Sequence, residues 1–339
     1  MNQQILKDTI QQLFAGNKGL LAMDESIETC NKRFAAAGIP QNVEMRRKYR
    51  ELIVTTAGLN ESIGGAILFD ETIRQQTKDG KPMVEVLIKA GIIPGIKVDL
   101  HAKPMAAFPN EKVTEGLDGL RERLAEYKKL GARFAKWRAV ITVGDGIPTT
   151  QCITANAHAL ARYAALCQEA DIVPIVEPEV LMNGNHTIQK CFEVSEQVQK
   201  ILFYQLYKYR INLEGIILKP NMVMQGLEST EKNSVDEVAG ATVNCLLESV
   251  PASVPAIAFL SGGQSPEAAS AHLNAINKNF KNRLPWIVTF SFARAIQQPA
   301  IEAWKGKDEN VKAAQQILYK RAKLDAAARS GEYSNDMEK

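Results

Sequence analysis

Along the chain, short runs of Val, Ile, Leu, Phe and small residues recur between longer stretches in which apolar side chains return every three to four positions. The runs fall at 19–26, 64–71, 93–99, 132–139, 172–179, 213–220, 256–263 and 286–294. Near-continuous apolar character over so short a span marks strands covered on both faces. The stretches between them read as amphipathic helices. Leu117, Leu120, Leu124 and Tyr127 share one helical face, and Ile188, Cys191, Phe192, Val198 and Ile201 another. Strand and helix therefore alternate eight times.

Alternation of this kind requires parallel strands joined by helical crossovers, and eight units starting 29 to 45 residues apart predict a closed (β/α)8 TIM barrel in the α/β class. A dinucleotide-binding sheet needs a GxGxxG turn after its first strand. Here that strand ends in Asp24-Glu25-Ser26. No Pro/Gly/Ser-rich linker divides the chain, so one barrel domain is expected over 1–330, followed by a short polar tail at 331–339. Ile5, Leu6, Ile10, Leu13 and Phe14 give residues 1–15 helical spacing, which predicts an extra helix before the first strand.

Composition narrows the class of partner. Hydrophobic residues make up 45% of the chain and charged ones 23%, as in globular proteins with a sizeable core. The net charge is only +3 and no block of five or six like charges occurs, which argues against nucleic-acid or membrane partners. No apolar stretch approaches the ~18 residues of a membrane span. Cys30, Cys152, Cys167, Cys191 and Cys245 are odd in number, widely spaced and never in a CxxC pair, which suits a reducing cytoplasm.

The candidate chemistry lies where the apolar runs stop. They close on Asp24, on Asp70 and Glu71, on Lys97 and Asp99, on Lys136 and Arg138, on Glu177 and Glu179, on Lys219, on Ser261-Gly262-Gly263 and on Arg294. These are the carboxyl ends of barrel strands, the face on which this fold carries its active sites. Residues two apart on a strand share a face, so Lys97 with Asp99, Lys136 with Arg138 and Glu177 with Glu179 can point together. A single strand-end charge usually just begins a solvated loop. So many converging on one mouth point to function, because a buried charge costs several kcal/mol unless it is paired.

Lys219 stands out, because Gly215-Ile216-Ile217-Leu218 delivers its amine to the rim. An amine nucleophile at neutral pH needs burial or a neighbouring cation to favour its neutral form, and Lys136, Arg138 and Lys97 are candidates for that cation. A Schiff base formed there withdraws electrons and stabilises a carbanion on the adjacent carbon, which suits aldol chemistry. Glu177 is a candidate proton shuttle, Glu179 an orienting group, and Asp24 a base across the barrel. Ser261-Gly262-Gly263 precedes a helical pattern opening at Pro266 and, with Arg294, offers an anion cradle between strands seven and eight. Ser26, Thr29, Lys97 and Arg138 can hold a second phosphate. His101, His158, His186 and His272 show no metal-ligand spacing, so neither a metal nor another cofactor is expected.

Over about 19–333 the chain resembles the class I fructose-bisphosphate aldolase family. The stretches that carry the resemblance include LAMDES, IGGAILFDETI, GIKVD, FAKWRAV, IVPIVEPE, LEGIILKPNMV, FLSGGQS and TFSFARAIQ. The resemblance implies reversible cleavage of fructose 1,6-bisphosphate to dihydroxyacetone phosphate and glyceraldehyde 3-phosphate in glycolysis and gluconeogenesis, with Lys219 as the Schiff-base lysine. It implies proton transfer and positioning by Glu177 and Glu179, and assistance to cleavage from Lys136 and Asp24. Lys97, Arg138, Ser26 and Thr29 would bind the 6-phosphate, and Ser261, Gly262 and Arg294 the 1-phosphate. It also implies a homotetramer.

Three departures from the family pattern bear on that reading. Thr29 stands where animal members carry serine, and Phe292-Ala293 stand where they carry tyrosine and glycine. The terminal tyrosine that assists protonation of the enamine in animal and plant members has no counterpart at Met337-Glu338-Lys339, which predicts slow enamine protonation or another group in its place. The competing readings are an aldolase for another ketose phosphate, a pyridoxal-phosphate barrel enzyme using Lys219, and a non-catalytic scaffold or adhesin.

Overall fold

The computed structural model describes residues 2–339. Among the described residues ten strands occur: β1 Gly19–Met23, β2 Ile63–Leu68, β3 Ile93–Lys97, β4 Ala102–Pro104, β5 Lys112–Thr114, β6 Phe134–Ile141, β7 Val173–Val180, β8 Ile217–Leu218, β9 Ala256–Phe259 and β10 Ile287–Phe292. Eight close into a parallel barrel in the order β1-β2-β3-β6-β7-β8-β9-β10, with helices outside, which is the (β/α)8 architecture. The remaining pair, β4 and β5, forms an antiparallel hairpin in the loop after β3. Its strands are three residues each, too short for any periodicity to announce them.

Several strands stop earlier than their apolar runs. The run at 213–220 forms only β8, because Asn212 caps a 3-10 turn over Leu213–Gly215 and Pro220 has no N–H to extend a ladder. The run at 64–71 ends at Leu68, and Asp70 begins a short helix, Asp70–Ile73.

Alternation along each strand divides the side chains between two cores. Leu20, Ala22, Ile67, Phe134, Val173, Ile175, Ile217, Ala256 and Ala258 fill the barrel interior. Phe134 occupies space left by Gly65 and Gly95, where an added Cβ would lie 2.9 and 2.3 Å from its ring. On β6, Trp137 points the other way and packs on Tyr163 of helix Thr150–Glu169, at 5.6 Å between ring centroids. That leaves Lys136 and Arg138 on the opposite face, towards the interior.

The amino-terminal helix, Gln3–Leu13, closes the bottom of the barrel. Leu6, Ile10, Leu13 and Phe14 join the interior cluster, and Gly64 admits Leu13 so closely that an added Cβ would lie 1.8 Å from its carbonyl oxygen. At the other terminus, helix Val311–Ser330 ends on Gly331 at φ 76°, after which the chain folds back. Tyr333 is buried there, and the Glu338 carboxylate accepts from Arg321 at 2.6 and 2.7 Å.

Candidate active site

The carboxyl ends of the strands surround a cavity of about 780 Å³. Every residue given a catalytic or phosphate-binding role from the sequence lines it. Asp24 and Ser26 follow β1, Thr29 lies on helix Ile27–Ala36, Lys97 ends β3, Lys136 and Arg138 lie in β6, and Glu177 and Glu179 in β7. Lys219 follows β8, Ser261, Gly262 and Gly263 follow β9, and Arg294 opens helix Arg294–Trp304. Two strand-end acids do not reach it. Asp70 accepts from Tyr127 and Arg74, and Glu71 is held by Arg46 at 2.7 and 2.8 Å, because the chain turns outward after β2.

At the centre, charges alternate in sign along a row. The Lys219 amine lies 3.0 Å from Glu177 Oε1; the Lys136 amine lies 3.2 Å from Glu177 Oε2 and 2.7 Å from Asp24 Oδ2. Lys219, Glu177 and Lys136 are each 3% exposed and Asp24 8%. Burial alone would push the Asp24 carboxyl up, yet the charges of Lys136 and Lys219 hold it well below the usual carboxylate range. Burial alone would depress Lys136, yet Asp24 and Glu177 raise it well above an ordinary lysine. Lys136 is therefore a permanent cation beside Lys219. The pairing is asymmetric: Lys136 has two carboxylates within ion-pair distance and Lys219 one.

Cationic flanks lie on either side. On one, the Lys97 amine sits 2.7 Å from Asp99 Oδ1, and Arg138 pairs through Nε with Glu179 while its backbone N–H donates to Asp99 at 3.2 Å. Ser26 caps helix Ile27–Ala36, and its hydroxyl stands 3.2 Å from that of Thr29. On the other flank, Gly262 and Gly263 adopt φ of 58° and 94°, a conformation that side chains resist. Arg294 lies over Gly263, where an added Cβ would be 3.1 Å from its Nη2. Burial first, and then the neighbouring Arg33 guanidinium, push Arg294 below its ordinary value.

Sequence reasoning missed Lys32, Arg33, His101 and Gln298, which also line the cavity. A signal for Arg33 existed: Ser26, Thr29, Arg33 and Ala36 recur at helical spacing along one face of helix Ile27–Ala36. Glu25 pairs with both Arg33 and Arg50 and so steers the Arg33 guanidinium. Gln298 likewise stands four residues after Arg294 on helix Arg294–Trp304, whereas His101 carried no such signal, since the loop before the hairpin brings it in. Tyr333 is held away from this cavity, its hydroxyl donating to Glu338 at 2.8 Å.

A closed α/β barrel whose mouth holds a buried lysine amine, shared carboxylates and a cationic cradle on each flank defines an enzyme that works on a doubly anionic carbonyl compound through an amine. The comparisons name the group. The family model for class-I fructose-bisphosphate aldolase matches residues 5–339. A probable class 1 fructose-bisphosphate aldolase of Xanthomonas axonopodis pv. citri (strain 306) is 54% identical over 334 residues, 98% of this chain and 99% of that protein. The cytosolic fructose-bisphosphate aldolase 4 of Arabidopsis thaliana is 48% identical over 320 residues, covering 94% of this chain and 81% of that one. A solved structure of the Plasmodium falciparum aldolase superposes with a TM-score of 0.96 at 45% identity, over 98% of this chain and 96% of that one.

The chain belongs to the class I fructose-bisphosphate aldolase family. It is a metal-independent carbon–carbon lyase that reversibly cleaves fructose 1,6-bisphosphate to dihydroxyacetone phosphate and glyceraldehyde 3-phosphate. Among the described residues no helix is long and apolar enough to cross a membrane.

Proposed function

We propose that Lys219 is the amine that captures the C2 carbonyl of fructose 1,6-bisphosphate, and that its neighbours divide the remaining proton transfers. The observation that carries this reading is the 3.0 Å separation of the Lys219 amine from Glu177 Oε1. Attack on C2 gives a carbinolamine. Glu177, within proton-transfer distance, donates the proton with which the hydroxyl leaves as water, and a protonated imine remains.

Cleavage then needs a base at the C4 hydroxyl. Asp24 takes this role, assisted by Lys136. The ion pair between them must open when substrate enters, and loss of the Lys136 contact raises the carboxyl towards a useful basicity. As the C4 hydroxyl proton moves to Asp24, the C3–C4 bond breaks, glyceraldehyde 3-phosphate departs, and the electron pair enters the imine as an enamine. Protonation at C3 and hydrolysis release dihydroxyacetone phosphate and restore the amine. Glu179, paired with Arg138, holds that guanidinium to the cavity.

Lys97, Arg138, Ser26 and Thr29 bind the 6-phosphate in this reading, and Ser261, Gly262, Gly263 and Arg294 the 1-phosphate. Support comes from their position on opposite flanks of the ion row and from the helix amino-termini that open beside both. Borohydride added with dihydroxyacetone phosphate is expected to inactivate the protein and add mass at Lys219. An adduct elsewhere, or none, overturns the assignment.

The protein is further read as a cytoplasmic homotetramer. Five buried cysteines without a disulfide support a reducing compartment. The family resemblance supports the tetramer, and light scattering would return about four times the chain mass of 37.4 kDa. A monomer at working concentration removes it.

A further inference from the structure

The nucleophile follows the shortest strand in the barrel. β7 pairs with β6 along its whole length, from Val173 to Val180, but only Ile175 and Val176 pair with β8. Past that point Lys219 donates its backbone N–H to Val176 O at 2.8 Å, and Pro220, with no N–H, cannot continue the ladder. The upper half of β7, which carries Glu177 and Glu179, therefore lacks a strand partner on this side, and the Val180 N–H would be orphaned in the interior.

Asn221 fills that gap. Its side-chain oxygen accepts the Val180 N–H at 3.0 Å, while its amide nitrogen donates to Met222 O at 3.1 Å and to Ser195 Oγ at 3.2 Å, on helix Ile188–Lys208. The side chain is 2% exposed. A backbone N–H can only donate, so the oxygen must face β7 and the nitrogen the helix. On the other side of the segment, Leu260 donates to Pro220 O at 3.1 Å, next to the Ser261 loop. Lys219-Pro220-Asn221 is thus staked to β7, to the end of β9 and to a helix, and among the described residues the backbone of β7 beyond Val176 is held to this segment by the Asn221 side chain.

We propose that Asn221 is a positioning residue for the Schiff-base step, its carboxamide standing in for the ladder that β8 lacks and thereby holding the Lys219 amine against Glu177. The inference rests on the assignment of Lys219 as the nucleophile. Proton transfer between Glu177 and the carbinolamine needs a separation of about 2.6–3.2 Å. Without the Asn221 stake the lysine segment is free to splay from β7, and misplacement by ~1 Å is enough to cost on the order of 10²-fold in rate. The phosphate cradles are built on β1, β3, β6, β9 and the start of helix Arg294–Trp304, so substrate binding is largely spared.

The test uses Asn221→Ala and the milder Asn221→Ser, whose side chain is too short to span to Val180. Borohydride with dihydroxyacetone phosphate, carried to its end point, counts competent Lys219 sites, and kcat is expressed per trapped site. The expected result is a kcat per site lower by about 10- to 100-fold, slower trapping, and KM for fructose 1,6-bisphosphate within about threefold of the native value. A merely structural role would lower the number of trapped sites and leave kcat per site intact; that result, in either variant, overturns the proposal. If the native chain itself traps nothing at Lys219, the nucleophile assignment fails instead, and the two failures are distinguished by the native control.

Discussion

The two ends of the barrel are made from the same strands and filled in opposite ways. At the amino-terminal end, Leu6, Ile10, Leu13 and Phe14 of the first helix meet Leu20, Ile67, Phe134 and Ile217 in a wholly apolar plug. At the carboxyl end, Lys136, Glu177 and Lys219 lie two residues beyond Phe134, Ile175 and Ile217 on the same inner faces, and Asp24 two beyond Ala22, all nearly as buried but charged. The lower end lowers free energy by removing apolar surface from water. The upper end spends part of that stability on desolvating charges that are only partly compensated by their pairing. Stability and chemistry are thus separated along the barrel axis by about two residues per strand.

The sharpest break of this comparison is Lys219→Met. A thioether of similar length should abolish turnover by about 10⁴-fold or more, and the melting temperature should fall because Asp24 and Glu177 are left with Lys136 as their shared buried counter-charge. Steady-state kinetics with differential scanning calorimetry measures both. Survival of turnover would show that the upper end does not work through this amine. Glu177→Gln keeps shape and removes the proton, so kcat is expected to fall about 10²- to 10⁴-fold with slowed imine trapping.

The lower end should behave in the reverse sense. Leu13→Ala opens a cavity in the plug and is expected to cost about 2–5 kcal/mol in urea unfolding, with kcat per folded molecule unchanged within about twofold. Arg294→Ala should act on binding more than chemistry, raising KM by about 10- to 100-fold for the loss of charge-assisted bonds to a phosphate. A change confined to kcat would remove Arg294 from the cradle.

The smallest effect tests a buried charge that serves neither end. Asp325 is fully buried in helix Val311–Ser330, accepts from Ser270 Oγ at 2.6 Å, and lies 3.7 Å from Arg321. Burial pushes its carboxyl up to about 7, against which Arg321 and the Ser270 bond act only in part. Folding therefore favours the protonated form, a contribution fully present below pH 3.8 and lost as pH rises through about 7. The native melting temperature should fall from pH 5 to pH 8 by more than that of Asp325→Asn. Parallel curves for the two proteins would contradict this.

Much of this was legible before any coordinates. Eight apolar runs predicted the barrel, and pairs such as Lys136 with Arg138 and Glu177 with Glu179 predicted shared faces, because a strand repeats every two residues whatever surrounds it. The errors were of two kinds. The run at 213–220 promised a long sixth strand, whereas a capped 3-10 turn and a proline confine β8 to Ile217 and Leu218. Asp70 and Glu71 looked like further mouth residues, but the turn after β2 carries them to Tyr127 and Arg46.

The sequence by itself determined the order of elements, the end of the barrel that would carry charge, and the residue types able to form a Schiff base and bind phosphate, since these follow from local periodicity and side-chain chemistry. Only the tertiary structure decided that Glu177 lies between two lysines, that His101 joins the cavity, and that the first helix closes the floor. Those are distances between residues remote in the chain, set by how the strands curve into a closed ring and by which side chains pack across it.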